Sequence, residues 1–171
     1  MTQQLTEKVT TDVGTQVKGN TNCVFRVEDD WYSVPAQSVR EIVVAPELME
    51  IPFCNSALLG VCHLRNEFLP VFSLNLLMDV GSESCWVGTE RLLVLESQSN
   101  WSLLISETGA LSTIQLSMAD DERHGGCLLG TALLNEKFLK VLHVQRLYDR
   151  VRMLLEQHWS GQQLEQLAWT E

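Results

Sequence analysis

Hydrophobic and polar positions alternate along this chain in short bursts, and the bursts come in pairs separated by polar turns. Cys23–Val27 alternates, Glu28-Asp29-Asp30 turns, and Trp31–Val34 returns. Short apolar-rich runs bounded by turn formers predict β-hairpins. Arg91–Glu96, the turn Ser97–Asn100 and Trp101–Ile105 predict a second hairpin. Leu58–Leu64, Arg65-Asn66-Glu67 and Phe68–Leu74 predict a third, with Asn66 suited to the left-handed backbone of such a turn. Leu128–Leu134, Asn135-Glu136-Lys137 and Phe138–Val144 predict a fourth. The runs are apolar on both faces, so the strands are expected inside curved sheets. About five strands in roughly 60 residues close most naturally into a small barrel. Gly60 and Gly130, each two residues into an apolar strand, predict a bulge or a barrel corner.

Helix is a minor component. Pro35–Ile42 opens on proline and predicts a short helix or turn. Leu147, Val151, Leu154, Leu155 and His158 form an amphipathic stripe, predicting a C-terminal helix within 145–169. A stop is expected near Ser160-Gly161, with a further turn carrying Leu164, Leu167 and Trp169. The stripe fits packing against the protein's own barrels or docking on a partner.

The hairpins also repeat one another. Ser56–Asp79 (SALLGVCHLRNEFLPVFSLNLLMD) aligns without a gap on Gly126–Asp149 (GCLLGTALLNEKFLKVLHVQRLYD), an offset of 70 with nine identities in 24 positions. The same offset carries Trp31 onto Trp101 and Val24–Val27 onto Val94–Ser97. Self-similarity at a fixed period marks a duplicated unit. Two related units are expected, at about 22–80 and 90–150, exchanging strands, with Gly81–Gly88 between them and a flexible segment at 1–21. The fold class is therefore mainly β: two five-stranded barrels related by the repeat, with a C-terminal helix.

Composition narrows the function. With 12 basic against 22 acidic residues the net charge is −10, which argues against a nucleic-acid partner, since phosphate binding needs clustered Lys and Arg. The densest basic stretch, Arg146, Arg150 and Arg152, is interleaved with Asp149 and Glu156. No apolar run is long enough to span a bilayer, so no membrane insertion is expected, and the first 22 residues lack the apolar centre of a signal peptide. Cys23, Cys54, Cys62, Cys85 and Cys127 are odd in number and mostly sit in apolar runs, which fits reduced core thiols and a cytoplasmic address.

Reactive chemistry is sparse. His63 and His143 lie in strands, and the repeat sets them opposite Leu133 and Ser73, so neither recurs. Cys62 and His63 are adjacent and point to opposite faces of a strand. Paired-cysteine zinc spacing, nucleophile elbows and phosphate-binding loops are absent. Asp120, Asp121 and Glu122, followed by Arg123 and His124, are expected to form a solvated loop. Neither a metal nor another cofactor is expected, and no enzymatic activity.

Val34-Pro35 followed by VREIV (Val39–Val43), then Pro52, then GVCHLRNEFLPVFSL (Gly60–Leu74) resembles the CheW-like family of bacterial chemosensory adaptors. RLLVLES…WSLLIS resembles that family's second-barrel hairpin, and LLGTALLNEKFLKVLHVQRL its closing strands. The likeness extends from Cys23 to Arg150. It implies two five-stranded SH3-like barrels in a non-catalytic adaptor. It also implies two partners, the cytoplasmic tip of a methyl-accepting chemoreceptor and the regulatory domain of a CheA-type histidine kinase. Val39, Glu41 and Arg65 match receptor-tip positions; the kinase contacts stay unassigned, with Gly60, Val61 and Pro70 expected to shape the first barrel and its surface near Gly60 and Val61 one candidate.

The departures from the family pattern are also specific. Asn66 stands where the family has glycine, and Ser73, Ser106 and His143 stand where it tends to carry carboxyl or amide side chains. They suggest a divergent member, one serving a type IV pilus twitching system rather than flagellar chemotaxis. A second reading stays open: a ligand-binding or oligomer-forming barrel protein that shares only the fold.

Overall fold

The computed structural model describes residues 21–80, 90–119 and 126–168, with the side chains of the last helix described to Glu156. The segment 1–20, the connection at Gly81–Gly88 with Cys85, and the acidic run Asp120–Glu122 with His124 lie outside the described residues. So do Trp169 and the side chains of His158, Leu164 and Leu167.

The chain forms hairpin β1 (Thr21–Val27)–β2 (Asp30–Pro35), one 3-10 turn (Ala36–Ser38) and β3 (Val39–Val44). Next come hairpin β4 (Leu58–Leu64)–β5 (Glu67–Phe72) and a single helical turn, α1 (Leu74–Leu77). The second half repeats the scheme with β6 (Arg91–Glu96), β7 (Asn100–Ile105), β8 (Glu107–Thr113), the short β9 (Met118–Ala119), β10 (Leu128–Leu134), β11 (Lys137–Leu142) and α2 (Val144–Ala168).

Two sheets result, ordered β3-β6-β7-β5-β4 and β8-β1-β2-β11-β10-β9. Each borrows a hairpin from the other half of the chain: β6–β7 completes the sheet of β3, β4 and β5, and β1–β2 completes that of β8 to β11. The borrowed hairpins join through short parallel pairings, Val71 with Ser102 and Val141 with Ser33. Ser33 and Ser102 are fully buried there, and Ser102 Oγ donates to the Pro70 carbonyl at 3.0 Å.

Runs that are apolar on both faces now have a cause. One face of each sheet feeds a central core that includes Phe25, Tyr32, Leu93, Leu95, Trp101 and Leu103. The other face encloses a small core of its own: Cys62, Leu69, Val71, Leu92, Val94 and Leu104 in the first sheet, and Val24, Ala132, Leu139 and Val141 in the second. The stripe on α2 packs inward, with Leu147 and Val151 buried and Leu154 and Leu155 against the central core. Each fully buried aliphatic side chain contributes roughly 1.5–3 kcal/mol.

Five expectations need correction. Only Ala36–Ser38 of the region expected to be helical turns; Val39–Val44 is strand, because its β-branched side chains pair along β6. The C-terminal helix does not stop at Ser160-Gly161 but runs to Ala168, since one interior glycine costs only about 1 kcal/mol against alanine. Strand β8 and the two-residue β9 had no clear alternating signal, and β9 makes the second sheet six-stranded. The hydrogen-bond ladders leave the barrels open, with β3 and β4 as the edges of the first sheet. Finally, Phe25 pairs with Tyr32 while its counterpart Leu95 pairs with Trp101, so Trp101 corresponds to Tyr32 rather than Trp31.

Candidate functional site

The open seam of the first barrel is where charged side chains gather. Val39 pairs with Leu95 and Glu41 with Val94, so Arg40 is an extra residue in β3, a β-bulge. In a regular strand Arg40 and Glu41 would point to opposite faces. With the bulge, both reach the β4–β5 turn on the far edge of the sheet. Arg40 Nη1 lies 2.8 Å and 2.9 Å from the two carboxylate oxygens of Glu67. Asn100 Nδ2 on β7 donates to Glu67 Oε2 at 2.9 Å. Glu41 Oε2 and Arg65 Nη2 are 3.0 Å apart. The seam between β3 and the β4–β5 hairpin is thus bridged by side chains, and further along by the backbone pair Met49–Val61, at 2.8 and 2.9 Å.

Arg65 and Asn66 form a two-residue turn with φ of 46° and 68°, the pattern of a type I′ hairpin. A positive φ is costly for an arginine, yet its guanidinium stays 71% exposed while the paired Glu41 is 17% exposed. The hydrogen bond from Asn100, and then Arg40, hold the Glu67 carboxyl below the usual carboxylate range. The bond to Glu67 raises the Arg40 guanidinium in turn.

Among the residues expected to matter, Glu41 and Arg65 are brought together. Val39 is half-buried and packs against the central core. Gly60 is buried at φ +151°, and a β-carbon there would stand 2.6 Å from the Met49 carbonyl oxygen. The backbone of Val61 is taken by Met49. Beside them, Phe68 is 68% exposed and lies 5.2 Å, ring to ring, from His63. Sequence reasoning missed Arg40, Glu67 and Asn100. Their signal is that they carry polar groups at the ends of strands otherwise filled with apolar residues.

The second barrel is a control built into the molecule. It has the same bulge, where Cys23 pairs with Leu111 and Phe25 with Thr108, and the same turn, with Asn135 and Glu136 at φ 48° and 64°. Gly109 and Ala110 occupy the places of Arg40 and Glu41, Asn135 that of Arg65, and Lys137 and Trp31 those of Glu67 and Asn100. Lys137 Nζ sits 3.8 Å above the Trp31 ring. The second end therefore keeps a fastening under its turn but lacks counterparts of the Arg40–Glu67 and Glu41–Arg65 pairs; its own pair, Arg26 with Glu107 at 2.9 Å, joins β1 to β8 instead.

Elsewhere, a cleft of about 480 Å³ is lined by Cys127, Arg146, Asp149, Arg150, Met153 and Leu154. Its arginines serve the chain itself: Arg146 donates to the Gly126 carbonyl at 3.1 Å, and Arg150 pairs with Asp79. Ser73 and His143 stand in equivalent places before α1 and α2, where His143 Nδ1 accepts from the Arg146 amide at 3.4 Å. Ser106 Oγ accepts from the Glu28 amide at 3.1 Å. Cys23, Cys54, Cys62 and Cys127 are free thiols, and burial pushes Cys23, Cys62 and Cys127 up. Among the described residues, no group of three His, Cys, Asp or Glu could hold a metal ion, and no helix is long and apolar enough to cross a membrane.

Two SH3-like units that trade hairpins, with a polar cluster on one end, define a duplicated SH3-like β fold. The family model described as the CheW-like domain matches residues 23–152, about three-quarters of the chain, and the chain belongs to that family. Among solved structures it is similar to the scaffolding protein TtCheW from Thermoanaerobacter tengcongensis, with a TM-score of 0.63 and 16% identity over 77% of this chain and 88% of that one. At that identity the agreement is one of fold. No curated protein matches closely enough to count as a relative.

Proposed function

We propose that this protein is a non-catalytic cytoplasmic adaptor that couples the tip of a methyl-accepting chemoreceptor to a CheA-type histidine kinase, in flagellar chemotaxis or pilus-dependent twitching motility. The observation that carries the reading is the asymmetry between two equivalent barrel ends: same bulge, same turn, but the Glu41–Arg65 pair only on the first. The duplicated fold forms this turn without the Glu41–Arg65 pair, since the second end has Ala110 and Asn135 in those places. Arg65 is the accessible member and the receptor contact; Glu41 and Val39 are its neighbours on β3. A planar guanidinium takes carboxylates in two parallel hydrogen bonds, which suits the Glu-rich helical tip of a receptor. The exposed face beside Gly60 and Val61, marked by Phe68 and His63, is the surface we assign to the kinase, since an aromatic group on an exposed sheet face suits an apolar partner.

The test is co-purification of the full chain with a receptor-tip helical hairpin and with a kinase regulatory domain from the same genome, separately and together. Binding of both at once is expected. Binding of neither, with self-association or a small-molecule ligand instead, would leave only the fold in common with the adaptors.

A further inference from the structure

The receptor contact proposed above rides on a two-residue turn, and so small a turn is held only by what its strands fasten to. Glu67, the first residue of β5 and two positions after Arg65, is fastened on both sides. Arg40 on β3 reaches it at 2.8 and 2.9 Å, and Asn100 on β7 donates to it at 2.9 Å. Arg65 itself pairs with Glu41. We infer that Glu67, gripped between Arg40 and Asn100, is a positioning residue for Arg65: it fixes the β4–β5 turn on the barrel so that Arg65, with Glu41 on one edge, presents its other edge to a partner carboxylate. This deepens the receptor reading and rests on it for the partner.

The geometry supports this in two ways. A guanidinium carries five N–H donors in a plane, and Glu41 at Nη2 leaves donors for a second carboxylate. Meanwhile Lys137 over Trp31 fastens the second barrel's turn at the equivalent place. Fastening the turn is therefore shared by both barrels, and what differs is the residue the turn carries. A pre-ordered arginine binds more tightly than a loose one because less side-chain freedom is lost on association.

The experiment uses the full chain as wild type, Glu67→Ala, the near-isosteric Glu67→Gln, and the charge-swapped pair Arg40→Glu with Glu67→Arg. The readouts are the order and solvent exchange of the Arg65 Nε–H group by NMR, affinity for a receptor-tip helical hairpin, and the thermal midpoint. Glu67→Ala is expected to loosen the Arg65 signal and weaken the tip roughly three- to tenfold, the range for re-ordering one long side chain. Glu67→Gln should act in the same direction more weakly, and the swapped pair should restore both readouts in large part. An unchanged Arg65 signal in folded Glu67→Ala or Glu67→Gln overturns the inference, whatever the midpoint does. If Arg65 loosens as expected but the wild type binds no tip, the positioning stands and the receptor reading falls. If the wild type binds the tip and Glu67→Ala binds it equally well, the reverse holds.

Discussion

The Glu41 carboxylate meets the Arg65 guanidinium at 3.0 Å across the stretch of the first barrel where no backbone ladder joins β3 to β4. The contact closes the sheet at the cost of an arginine in the left-handed region, at φ 46°. The second barrel's turn has Asn135 at that place and Glu136, at φ 64°, where the first has Asn66, so each turn holds one asparagine and one charged residue in the left-handed region. What sets Arg65 apart is its exposure and its pairing with Glu41.

Arg65→Asn is therefore expected to keep or raise stability by up to ~1 kcal/mol while losing receptor binding. Arg65→Glu adds repulsion and should weaken the receptor tip by at least about tenfold, ~1.4 kcal/mol, with kinase affinity less affected. Paired titrations of both partners at matched salt, alongside denaturation curves, check this. Unchanged receptor affinity in both variants would reduce Arg65 to a solvated charge.

Gly60→Ala should destabilise by roughly 1–3 kcal/mol, because the backbone there sits at φ +151° and the new methyl would meet the Met49 carbonyl at 2.6 Å. Urea denaturation measures it. A variant as stable as wild type would mean that the Met49 segment moves aside freely.

Tyr32 offers a test in the opposite direction. Its hydroxyl is buried without a hydrogen-bond partner among the described residues, and burial, then Asp30 and Glu28, push the phenol far above its usual range. Tyr32→Phe keeps the ring and removes the unsatisfied group, so it is expected to be neutral or to stabilise by up to ~1 kcal/mol. A loss above that size in the same denaturation assay would mean that the hydroxyl has a partner after all.

The buried thiols set an alkaline limit. Burial raises Cys23, Cys62 and Cys127, so they stay protonated in the folded chain at pH values where unfolded thiols ionise. Their contribution is complete below about pH 8.5, the unfolded value, and is lost as pH rises through the higher folded values. Denaturation midpoints should hold steady from about pH 6 to 8 and then decline, and Cys62→Ala should soften that decline. Native thiol labelling should leave these three slow while unfolded protein reacts fully. Fast labelling of all three in the native state would contradict their placement.

Much of this architecture could be read from the chain because duplication wrote it twice. Ser56–Asp79 and Gly126–Asp149 match without a gap, and β4–β5 and β10–β11 are equivalent hairpins with a bulge at Gly60 and at Gly130. Reading failed where the copies differ in length. The path from Leu95 to its partner Trp101 is one residue shorter than that from Phe25 to Tyr32, so Tyr32 and Trp101 share a place although Trp31 and Trp101 share a letter. Glu41 and Arg65 could be named from a family pattern, but their partners could not. Arg40 and Glu67 meet only because a bulge turns Arg40 toward the far edge, and a bulge in β3 leaves no mark on the sequence.

The traded hairpins bear on how the protein is made. When residue 80 has been synthesised, β3, β4 and β5 still lack β6–β7, while β1–β2 waits for β8 and for β11, which ends at Leu142. At ordinary translation speeds of roughly 5–20 residues per second, the first half spends on the order of three to twelve seconds with Phe25, Tyr32 and Phe72 uncovered. Neither half can be finished before the other arrives, so apolar surface stays uncovered on the nascent chain for longer than in two tandem barrels, each closing on itself.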